Sequence, residues 1–583
     1  MPITMTAFND ILKKYRKEAF SERDKGDRFE RLMQRYLRTD PKYADRFKKI
    51  WLWNEFPSNK DLGGKDTGID LVAKTHEGDY WAIQCKCYAE NAVIDKAAVD
   101  SFLSTSGRTF KDDEGLHTVR FSQRLWISTT NNWGGGATEA IKNQDPVVIR
   151  LGLYELQEAP VDWKKLEVGQ DGEASRIAKK SPYKHQKEAV DLAHAHYKEN
   201  DRGQMIMACG TGKTYTALQV AENETKGQGL ILFLVPSIAL MGQTLREWFA
   251  DASEPIHPIC ICSDPRVTRR QSGDDDVDAT SVVDLALPAS TNVKSILKQF
   301  EAARLNKKKG MTVVFSTYQS IDVIAEAQKA LRKQKEWKEA GIFDLIICDE
   351  AHRTTGVSLT KEDSSAFIKV HDDDFIQARK RLYMTATPRL YNEDAKTTAA
   401  QEEAILCSMD EPKTFGTEFY RIGFGEAVKR DLLSDYKVLI LTLSDKDVPP
   451  AVQRIIADKA SEINADDASK LIGCINALSK QVLGDAGEIK ATDPEPMRRA
   501  VAFCQNINVS KKITSTFNSA TDVYIDALQP EKREQMVSVS AQHIDGTMGA
   551  PVRDGLMAWL KGEGEAQNAC RVLTNVRCLS EGV

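Results

Sequence analysis

The stretch MIMACGTGKTYTAL, residues 205–218, decides the fold of the central part of this chain. Its first residues predict a buried strand, and the glycines that follow allow backbone N–H groups to close around phosphates at the start of a helix. In such a loop the lysine reaches the β- and γ-phosphates, and the next hydroxyl binds Mg²⁺. We therefore predict a site for ATP and Mg²⁺ formed by Gly210, Thr211, Gly212, Lys213 and Thr214.

A second stretch, FDLIICDEAHRTTG at 343–356, supplies the acidic partner of this site. Four apolar residues predict a buried strand whose end presents Asp349 and Glu350. We expect Asp349 to hold the metal ion and Glu350 to polarise the attacking water. Further apolar runs alternate with amphipathic stretches, which predicts a parallel sheet flanked by helices.

These motifs make the chain resemble a superfamily 2 helicase or translocase, in which Met207 at the first glycine position of the loop is tolerated. The resemblance assigns Gln186, in YKHQKEAV, to the adenine base and places His352 of the DEAH string in the nucleotide site. Other stretches follow in the order of the family. They are LVPSIALMGQ (234–243) and FSTYQS (315–320), which resemble segments that touch the nucleic-acid backbone, MTATP (384–388), AVAFCQNINVSKKI (500–513) and AQHIDGTM (541–548).

The stretch DLGGKDTGIDLVAKTHEGDYWAIQCKCYAE, residues 61–90, predicts a β-hairpin near the N-terminus. Two apolar strands flank the polar turn THEGD. If the loop spans Thr75–Asp79, Lys74 pairs with Tyr80, and Asp70 falls opposite Gln84. A slip of one residue would move Asp70 to the other face of the sheet, so this register is a structural prediction.

In that register Asp70, Gln84 and Lys86 share one face of the hairpin. The Asp70 carboxylate and the Gln84 carbonyl oxygen suit Mg²⁺, and Lys86 is placed to position the water and stabilise phosphate charge. We expect Glu30, on an upstream helix, to support this site. The pattern resembles the Mrr-like branch of the PD-(D/E)xK nucleases, where glutamine replaces the middle acid. The alternative interpretation is an amphipathic hairpin with ordinary surface polar residues.

The length of 583 residues, the net charge of −5 and the 11 cysteines bound the class of protein. The length implies several domains, and the negative charge argues against a general polyphosphate binder. The cysteines show no zinc-site spacing and there is no export signal or membrane-length apolar run, so we expect reduced thiols in a cytoplasmic protein.

Nuclease and motor motifs on one chain resemble the N-terminal part of type ISP restriction–modification enzymes. The resemblance implies an α/β fold in which a restriction-endonuclease-like domain precedes two RecA-like parallel-sheet domains, the second incomplete. The predicted divisions are nuclease 1–165, linker 166–180, first RecA-like domain 181–410 and partial second RecA-like domain 411–583.

The same resemblance implies an ATP-driven translocase on double-stranded DNA that cuts foreign, phage-type DNA. It also implies methyltransferase and target-recognition domains, further along the full-length chain or on a partner. Two other hypotheses stay open. One is a repair or remodelling motor whose front domain only binds DNA, and the other is an inactive fragment that binds DNA without moving or cutting it.

The last residues, LTNVRCLSEGV at 573–583, resemble motif V of the family. The helix expected next would carry arginines for the γ-phosphate, but the only Gly-Arg pair of the sequence is Gly107-Arg108. We therefore expect a truncated second RecA-like domain, and a chain that binds ATP but hydrolyses it poorly.

Overall fold

The computed structural model forms two compact units, one that ends at Ser434 and a second that contains the residues from Asp435 onward. Among its helices, none in the described part of the chain is long and apolar enough to cross a membrane. The described residues are 3–64, 68–89, 92–142, 144–262, 285–305, 309–358, 366–392, 405–436, 438, 465–481, 495–545, 548, 550–562 and 569–576.

A six-stranded mixed sheet lies in the N-terminal part of the first unit, with order β1-β2-β3-β5-β4 and β6 beside β5. Its strands are β1 (Phe47–Leu52), β2 (Leu71–Thr75), β3 (Tyr80–Lys86), β4 (Thr109–Lys111), β5 (Thr118–Ser128) and β6 (Val148–Leu151). The accompanying α-helices are Ile3–Glu18, Glu22–Thr39, Pro41–Ala44, Lys96–Ser106, Gly135–Ala140, Leu153–Gln157 and Trp163–Glu167, and the 3-10 helices are Trp53–Glu55, Asn59–Leu62 and Glu173–Ser175.

Helices cover both faces of β3, which explains why this strand is apolar over nearly its whole length. Helix Glu22–Thr39 buries Phe29 and Leu32 on one face, and helix Lys96–Ser106 buries Val99 and Phe102 on the other. The first of these helices begins at Ser21, whose side-chain oxygen accepts a hydrogen bond from Asp24 N at 3.1 Å and caps a free N–H group.

A second sheet of seven parallel strands follows, with order β15-β7-β13-β11-β8-β10-β9. The strands of this part of the chain are β7 (Arg202–Met207), β8 (Gly229–Val235), β9 (Ile256–Ile261), β10 (Met311–Thr317), β11 (Leu345–Cys348), β12 (Gly356–Ser358), β13 (Arg381–Thr385), β14 (Ile405–Cys407) and β15 (Thr417–Ile422), of which β12 and β14 form a separate antiparallel pair. The helices are Lys184–His196, Lys213–Thr225, Ile238–Asp251, Val293–Leu305, Ile321–Leu331, Pro412–Phe415 and Phe424–Lys429, with 3-10 helices Tyr318–Ser320, Lys335–Trp337, Ala351–Thr354 and Lys369–His371.

This sheet confirms the predicted parallel α/β architecture, and it extends past the predicted division at residue 410. Strand β15 pairs with β7, so residues 417–422 belong to the sheet that carries the predicted phosphate-binding loop, which follows β7. The reason is that β15 adds to a sheet edge, and such a strand needs no continuous apolar run to pair. The domain boundaries otherwise stay a prediction.

The second unit contains a three-stranded parallel sheet of order β16-β18-β17. Its elements are β16 (Arg499–Phe503), β17 (Ser538–Ile544), β18 (Ala569–Asn575) and helices Ala465–Leu478, Ile507–Asp526, Pro530–Arg533 and Ala550–Lys561. Residues 577–583, with most of the stretch that resembles motif V, lie outside the described residues.

The predicted linker is held along its length within the first unit. Gly172 N donates to Thr39 Oγ1 at 2.9 Å, and Arg176 Nε donates to Thr39 O at 2.8 Å. At its far end Lys180 N donates to Asp251 Oδ1 at 2.9 Å. This segment is therefore anchored at one end to the predicted nuclease region and at the other to the parallel-sheet region.

The two regions of the first unit also touch directly. Tyr43, fully buried, donates its hydroxyl hydrogen to Ala286 O at 2.9 Å. The Arg246 guanidinium lies 5.5 Å from the centre of the Tyr154 ring. A buried hydrogen bond and a cation–π contact thus join Ala286 and helix Ile238–Asp251 to two helices of the N-terminal region, Pro41–Ala44 and Leu153–Gln157.

Candidate nuclease and nucleotide sites

The hairpin has the register that the sequence predicts. Lys74 pairs with Tyr80, and Leu71 pairs with Ile83. One residue further, Asp70 N donates to Ile83 O at 2.9 Å. Asp70 therefore lies beside Gln84, on the neighbouring strand.

The Asp70 carboxylate is held by groups from β3. Its Oδ2 atom accepts hydrogen bonds from Gln84 Nε2 and, at 2.7 Å, from Cys85 N. Burial raises the pKa of Asp70 to about 6, against the opposing effects of the Lys86 charge and the Cys85 N–H. Lys86 is thus close enough to act on this carboxylate, as the hairpin prediction requires.

Gln84 carries an unused acceptor in this site. Its side chain is fully buried, and Oε1 has no hydrogen-bond partner among the described residues. A buried oxygen without a donor is costly unless a ligand satisfies it, and amide and carboxylate oxygens are the ligands of hard divalent cations. The donor set therefore fits a divalent metal ion.

Glu30 lies near the same carboxylate, on helix Glu22–Thr39. Burial, with smaller contributions from the negative charges of Asp70 and Asp27, raises the pKa of Glu30 to about 8. Two carboxyl groups that resist simultaneous ionisation are expected where a cation is to be held between them. No group of three or more His, Cys, Asp or Glu residues suited to a metal occurs in the described part of the chain.

The sequence prediction missed Asp27, which acts on both acids of the site. Asp27 precedes Glu30 by three residues in GDRFE, so the two occupy one face of the helix. That spacing was the signal in the sequence that could have identified it.

The phosphate-binding loop links β7 to helix Lys213–Thr225. Gly210 and Gly212 have φ of 82° and 85°, a region that residues with a Cβ rarely adopt. A Cβ on Gly212 would also lie 2.4 Å from Gln186 Nε2. The glycines are therefore required both by the turn and by the close approach of Gln186.

Gln186 is engaged at both ends of its amide. Oε1 accepts a hydrogen bond from Tyr183 N at 2.9 Å, and Nε2 donates to Thr211 O at 3.3 Å. The Thr211 hydroxyl in turn donates to Ala208 O at 2.7 Å. Gln186 thus supports the loop, and its contact with adenine stays a prediction.

The acidic pair follows β11, close to the loop lysine. Burial and then the Glu350 charge, opposed by the charge of Lys213, raise the pKa of Asp349 to about 7. Burial also disfavours a charged Glu350, but His352 and Lys213 outweigh it and leave the Glu350 pKa below its ordinary value. The pair therefore contains one acid that holds its proton readily and one that stays ionised.

His352 joins this pair to the end of β13. Its Nδ1 atom lies 3.4 Å from Glu350 Oε2 and 3.0 Å from Thr385 Oγ1. Thr387 N donates to the same Thr385 hydroxyl at 3.2 Å. Thr214, the predicted second metal contact, lies at the start of its helix, where its carbonyl accepts from Trp248 Nε1 at 3.1 Å.

The segments predicted to touch nucleic acid follow neighbouring strands of the sheet. LVPSIALMGQ continues from β8, and FSTYQS ends β10, which pairs with β8 in parallel. Ser237 caps helix Ile238–Asp251 by accepting from Leu240 N at 3.3 Å. The sheet therefore brings these segments to its carboxyl edge, where doubly wound sheets bind ligands.

Two family models match the chain. Residues 38–173 match a restriction endonuclease family, Mrr_cat_2, and residues 179–390 match the res subunit of type III restriction enzymes. The matched segments contain Asp70 to Lys86 and the whole stretch from Gln186 to MTATP.

Among curated proteins, the probable helicase A859L of African swine fever virus (strain Badajoz 1971 Vero-adapted) is 24% identical over 331 residues, 56% of this chain and 30% of the viral protein. The type I restriction enzyme EcoAI endonuclease subunit of Escherichia coli is 24% identical over 346 residues, 57% of this chain and 34% of that subunit. The chain therefore spans about a third of the length of these relatives.

Among solved structures, the ATP-dependent type ISP restriction–modification enzyme LlaBIII bound to DNA is similar over 100% of this chain and 34% of its own, with 33% sequence identity and a TM-score of 0.77. That similarity covers both the six-stranded and the parallel sheets described above.

Proposed function

We infer that this chain joins an Mrr-type restriction nuclease to a superfamily 2 helicase, in the manner of type ISP restriction–modification enzymes. From this premise we propose that it is an ATP-dependent double-stranded DNA translocase with a tethered Mg²⁺-dependent endonuclease. Its biological role in this proposal is the restriction of foreign DNA. The observation that carries the nuclease half is the buried, unpartnered Gln84 Oε1 beside Asp70.

In the nuclease site, Asp70, Gln84 and Glu30 would hold the metal ion. When bound, Mg²⁺ supplies positive charge that stabilises the phosphodiester as it is hydrolysed. Lys86 would orient the attacking water and stabilise the negative charge that develops on the phosphate. Deprotonation of Glu30 on metal binding would complete the ligand set.

In the nucleotide site, the loop from Gly210 to Thr214 would hold the phosphates of ATP, with Lys213 on the terminal groups. Thr214 and Asp349 would hold the Mg²⁺ that accompanies ATP. Glu350, whose pKa lies below its ordinary value, is the group suited to polarise the attacking water. His352 would hold Glu350 and link it to Thr385.

The proposed partner is duplex DNA, and the similar LlaBIII structure is bound to DNA. We also propose that methyltransferase and target-recognition functions reside on other parts of the full-length protein or on a partner. The chain has no Asn-Pro-Pro-aromatic motif, since its one Pro-Pro pair, Pro449-Pro450, precedes Ala451.

A plasmid-cleavage assay with Mg²⁺ and ATP tests the nuclease half. We expect the wild type to cut and Lys86→Ala to leave the plasmid intact. Lys48→Ala, which removes an exposed lysine from β1 of the same sheet, is the matched control and should cut as the wild type does. An intact plasmid with all three proteins, in the presence of the partner functions, would refute the nuclease assignment.

DNA-stimulated ATP hydrolysis by the wild type, which we expect to be weak but measurable in this chain, tests the motor half. We expect Lys213→Ala to abolish it, because the terminal phosphates lose their cationic contact. ATP hydrolysis that survives this change would contradict the motor assignment.

A DNA-binding role without cleavage is the second candidate, favoured by the glutamine that stands where a third acid would complete the metal site. It predicts that DNA binds equally to wild type and Lys86→Ala, and that neither protein cuts.

A further inference from the structure

A short segment not used in the proposed mechanism contacts the phosphate-binding loop from outside. We call residues 430–434 the strap. A Cβ on Gly210 would lie 2.9 Å from Leu433 Cδ2, so a Leu433 methyl group already fills the space beside this glycine. Leu433 also packs against the hydrophobic core that contains Met207, the last residue of β7. An apolar side chain thus supports the loop proposed to hold the phosphates of ATP.

The strap is connected to the loop through the sheet. Ile422, at the end of β15, pairs with Met207 at the end of β7. One residue further, Ala208 N donates to Ile422 O at 2.9 Å, which extends the pairing to the first residue of the loop. The short helix Phe424–Lys429 then leads directly to the strap.

The end of that helix fixes the direction of Leu433. Asp431 N donates to Val428 O at 3.0 Å, and Leu432 N donates to Ala427 O at 2.9 Å. Asp431 has φ of 55°, so these bonds form the Schellman arrangement that ends a helix with one left-handed residue. The backbone changes direction at Asp431 and brings the side chain of Leu433 against Gly210.

An ion pair ties the strap to the other support of the loop. Arg430 Nη1 lies 3.2 Å from Glu188 Oε2, on the helix that also carries Gln186. A Cβ on Gly212 would lie 2.4 Å from Gln186 Nε2, closer than the 2.9 Å between a Cβ on Gly210 and Leu433 Cδ2. Both left-handed glycines of the loop are therefore supported by side chains from elements joined through Arg430.

We propose that Leu433 is a positioning residue for the phosphate-binding loop, and that the strap responds to nucleotide in the loop. Ser434 is the last residue of the first compact unit, so a response of the strap acts on the chain at the point where it leaves that unit. This inference rests on the proposed ATP binding. It adds that the strap is the element whose conformation depends on whether the loop holds nucleotide.

Binding of mant-ATP to the whole chain tests the positioning role. We expect Leu433→Ala to weaken binding of mant-ATP about tenfold. The reason is that apparent affinity falls in proportion to the fraction of molecules with a binding-competent loop, and we expect that fraction to drop to about a tenth. Leu433→Met, which refills the space, should restore affinity to within about twofold, since Met adapts to irregular gaps. Leu432→Ala is the matched control, because Leu432 packs against the same core but no Leu432 atom lies within 4 Å of a Cβ placed on Gly210.

Amide hydrogen exchange tests the response of the strap. ATP should slow exchange at residues 430–434 in the wild type and leave it unchanged in Lys213→Ala. If the wild type binds mant-ATP but Leu433→Ala binds it equally, or if ATP leaves strap exchange unchanged in the wild type, the inference is wrong and the ATP site stands. A wild type that binds no mant-ATP would overturn both the inference and the proposed motor.

Discussion

At the scale of single residues, the nuclease site is organised by groups that are reluctant to be charged. The Glu30 pKa of about 8 and the Asp70 pKa of about 6 result chiefly from burial. In the folded protein without metal, both acids therefore bind protons more tightly than in the unfolded chain. A divalent cation compensates this cost by binding to the ionised forms.

Mg²⁺ affinity should accordingly rise with pH. Between pH 6 and pH 8 we expect an increase of about tenfold per pH unit where one proton is released on binding. Isothermal titration calorimetry in buffers of different ionisation enthalpy measures both the affinity and the proton release. Glu30→Gln should remove the upper part of the dependence, and an unchanged slope would contradict the role of Glu30.

The stability of the metal-free protein should show the opposite trend. A raised carboxyl pKa contributes stability that is present at pH below about 4.5, the ordinary value for Glu30, and is lost as pH rises through about 8. Thermal unfolding in EDTA should therefore give a falling midpoint over this range. Mg²⁺ should reduce this fall in the unfolding midpoint. The Glu30→Gln variant lacks the titrating group and gives the background pH dependence. If the midpoint in EDTA rises with pH after that background is subtracted, the prediction is wrong.

Gln84→Glu tests the amide directly. A third carboxylate should strengthen Mg²⁺ binding and lower the stability of the metal-free protein, because another charge is buried beside Asp70. Gln123→Glu is the matched control, since Gln123 Oε1 is also unpartnered but lies on β5, three positions before the residue that pairs with Gln84. If both variants change Mg²⁺ affinity equally, Gln84 is not a ligand.

At the scale of elements, structure that depends on neighbouring residues could be predicted from the sequence. Structure that depends on residues far away in the chain could not. The hairpin register followed from one turn and from the side-chain period of two, and Lys74 does pair with Tyr80. Strand β15 was missed because only two of its six residues, Tyr420 and Ile422, are fully covered. Its identity as a strand depends on β7, far away in the sequence. The double contact of Gln186 is likewise a property of the folded loop.

The helix end at Asp431 offers a test at this scale. Asp431→Gly should raise the free energy of unfolding by up to about 1 kcal/mol, because glycine adopts positive φ without the steric cost of a Cβ. Urea unfolding measures the change. Lys429→Gly, inside the same helix, should lower stability and serves as the control. A loss of stability in Asp431→Gly would show that the aspartate side chain itself holds the turn.

At the scale of the whole molecule, the nuclease region and the parallel-sheet region form one compact unit. Their connection has three parts: the anchored linker, the Arg246–Tyr154 contact and the buried Tyr43 hydroxyl. The sequence predicted a linker at residues 166–180 because this stretch is polar and contains glycine. Composition alone does not reveal that Thr39 and Asp251 bind it.

Tyr43→Phe should weaken this connection. The Ala286 carbonyl would lose its donor inside the interface, which costs about 1–2 kcal/mol of unfolding free energy. Tyr183→Phe, at a largely exposed position, should leave the stability unchanged. Equal stability of Tyr43→Phe and the wild type in urea unfolding would mean that water replaces the tyrosine.

The anchored linker has a consequence for where DNA would be cut. A nuclease on a free tether could reach any phosphate within the length of the tether, and its cuts would scatter along the DNA. Here the linker is hydrogen-bonded to Thr39 at one end and to Asp251 at the other, which limits how far the predicted nuclease site and the predicted phosphate-binding loop can separate. If the chain acts as proposed, its cuts would then fall within a narrow span of base pairs measured from the DNA that the motor holds.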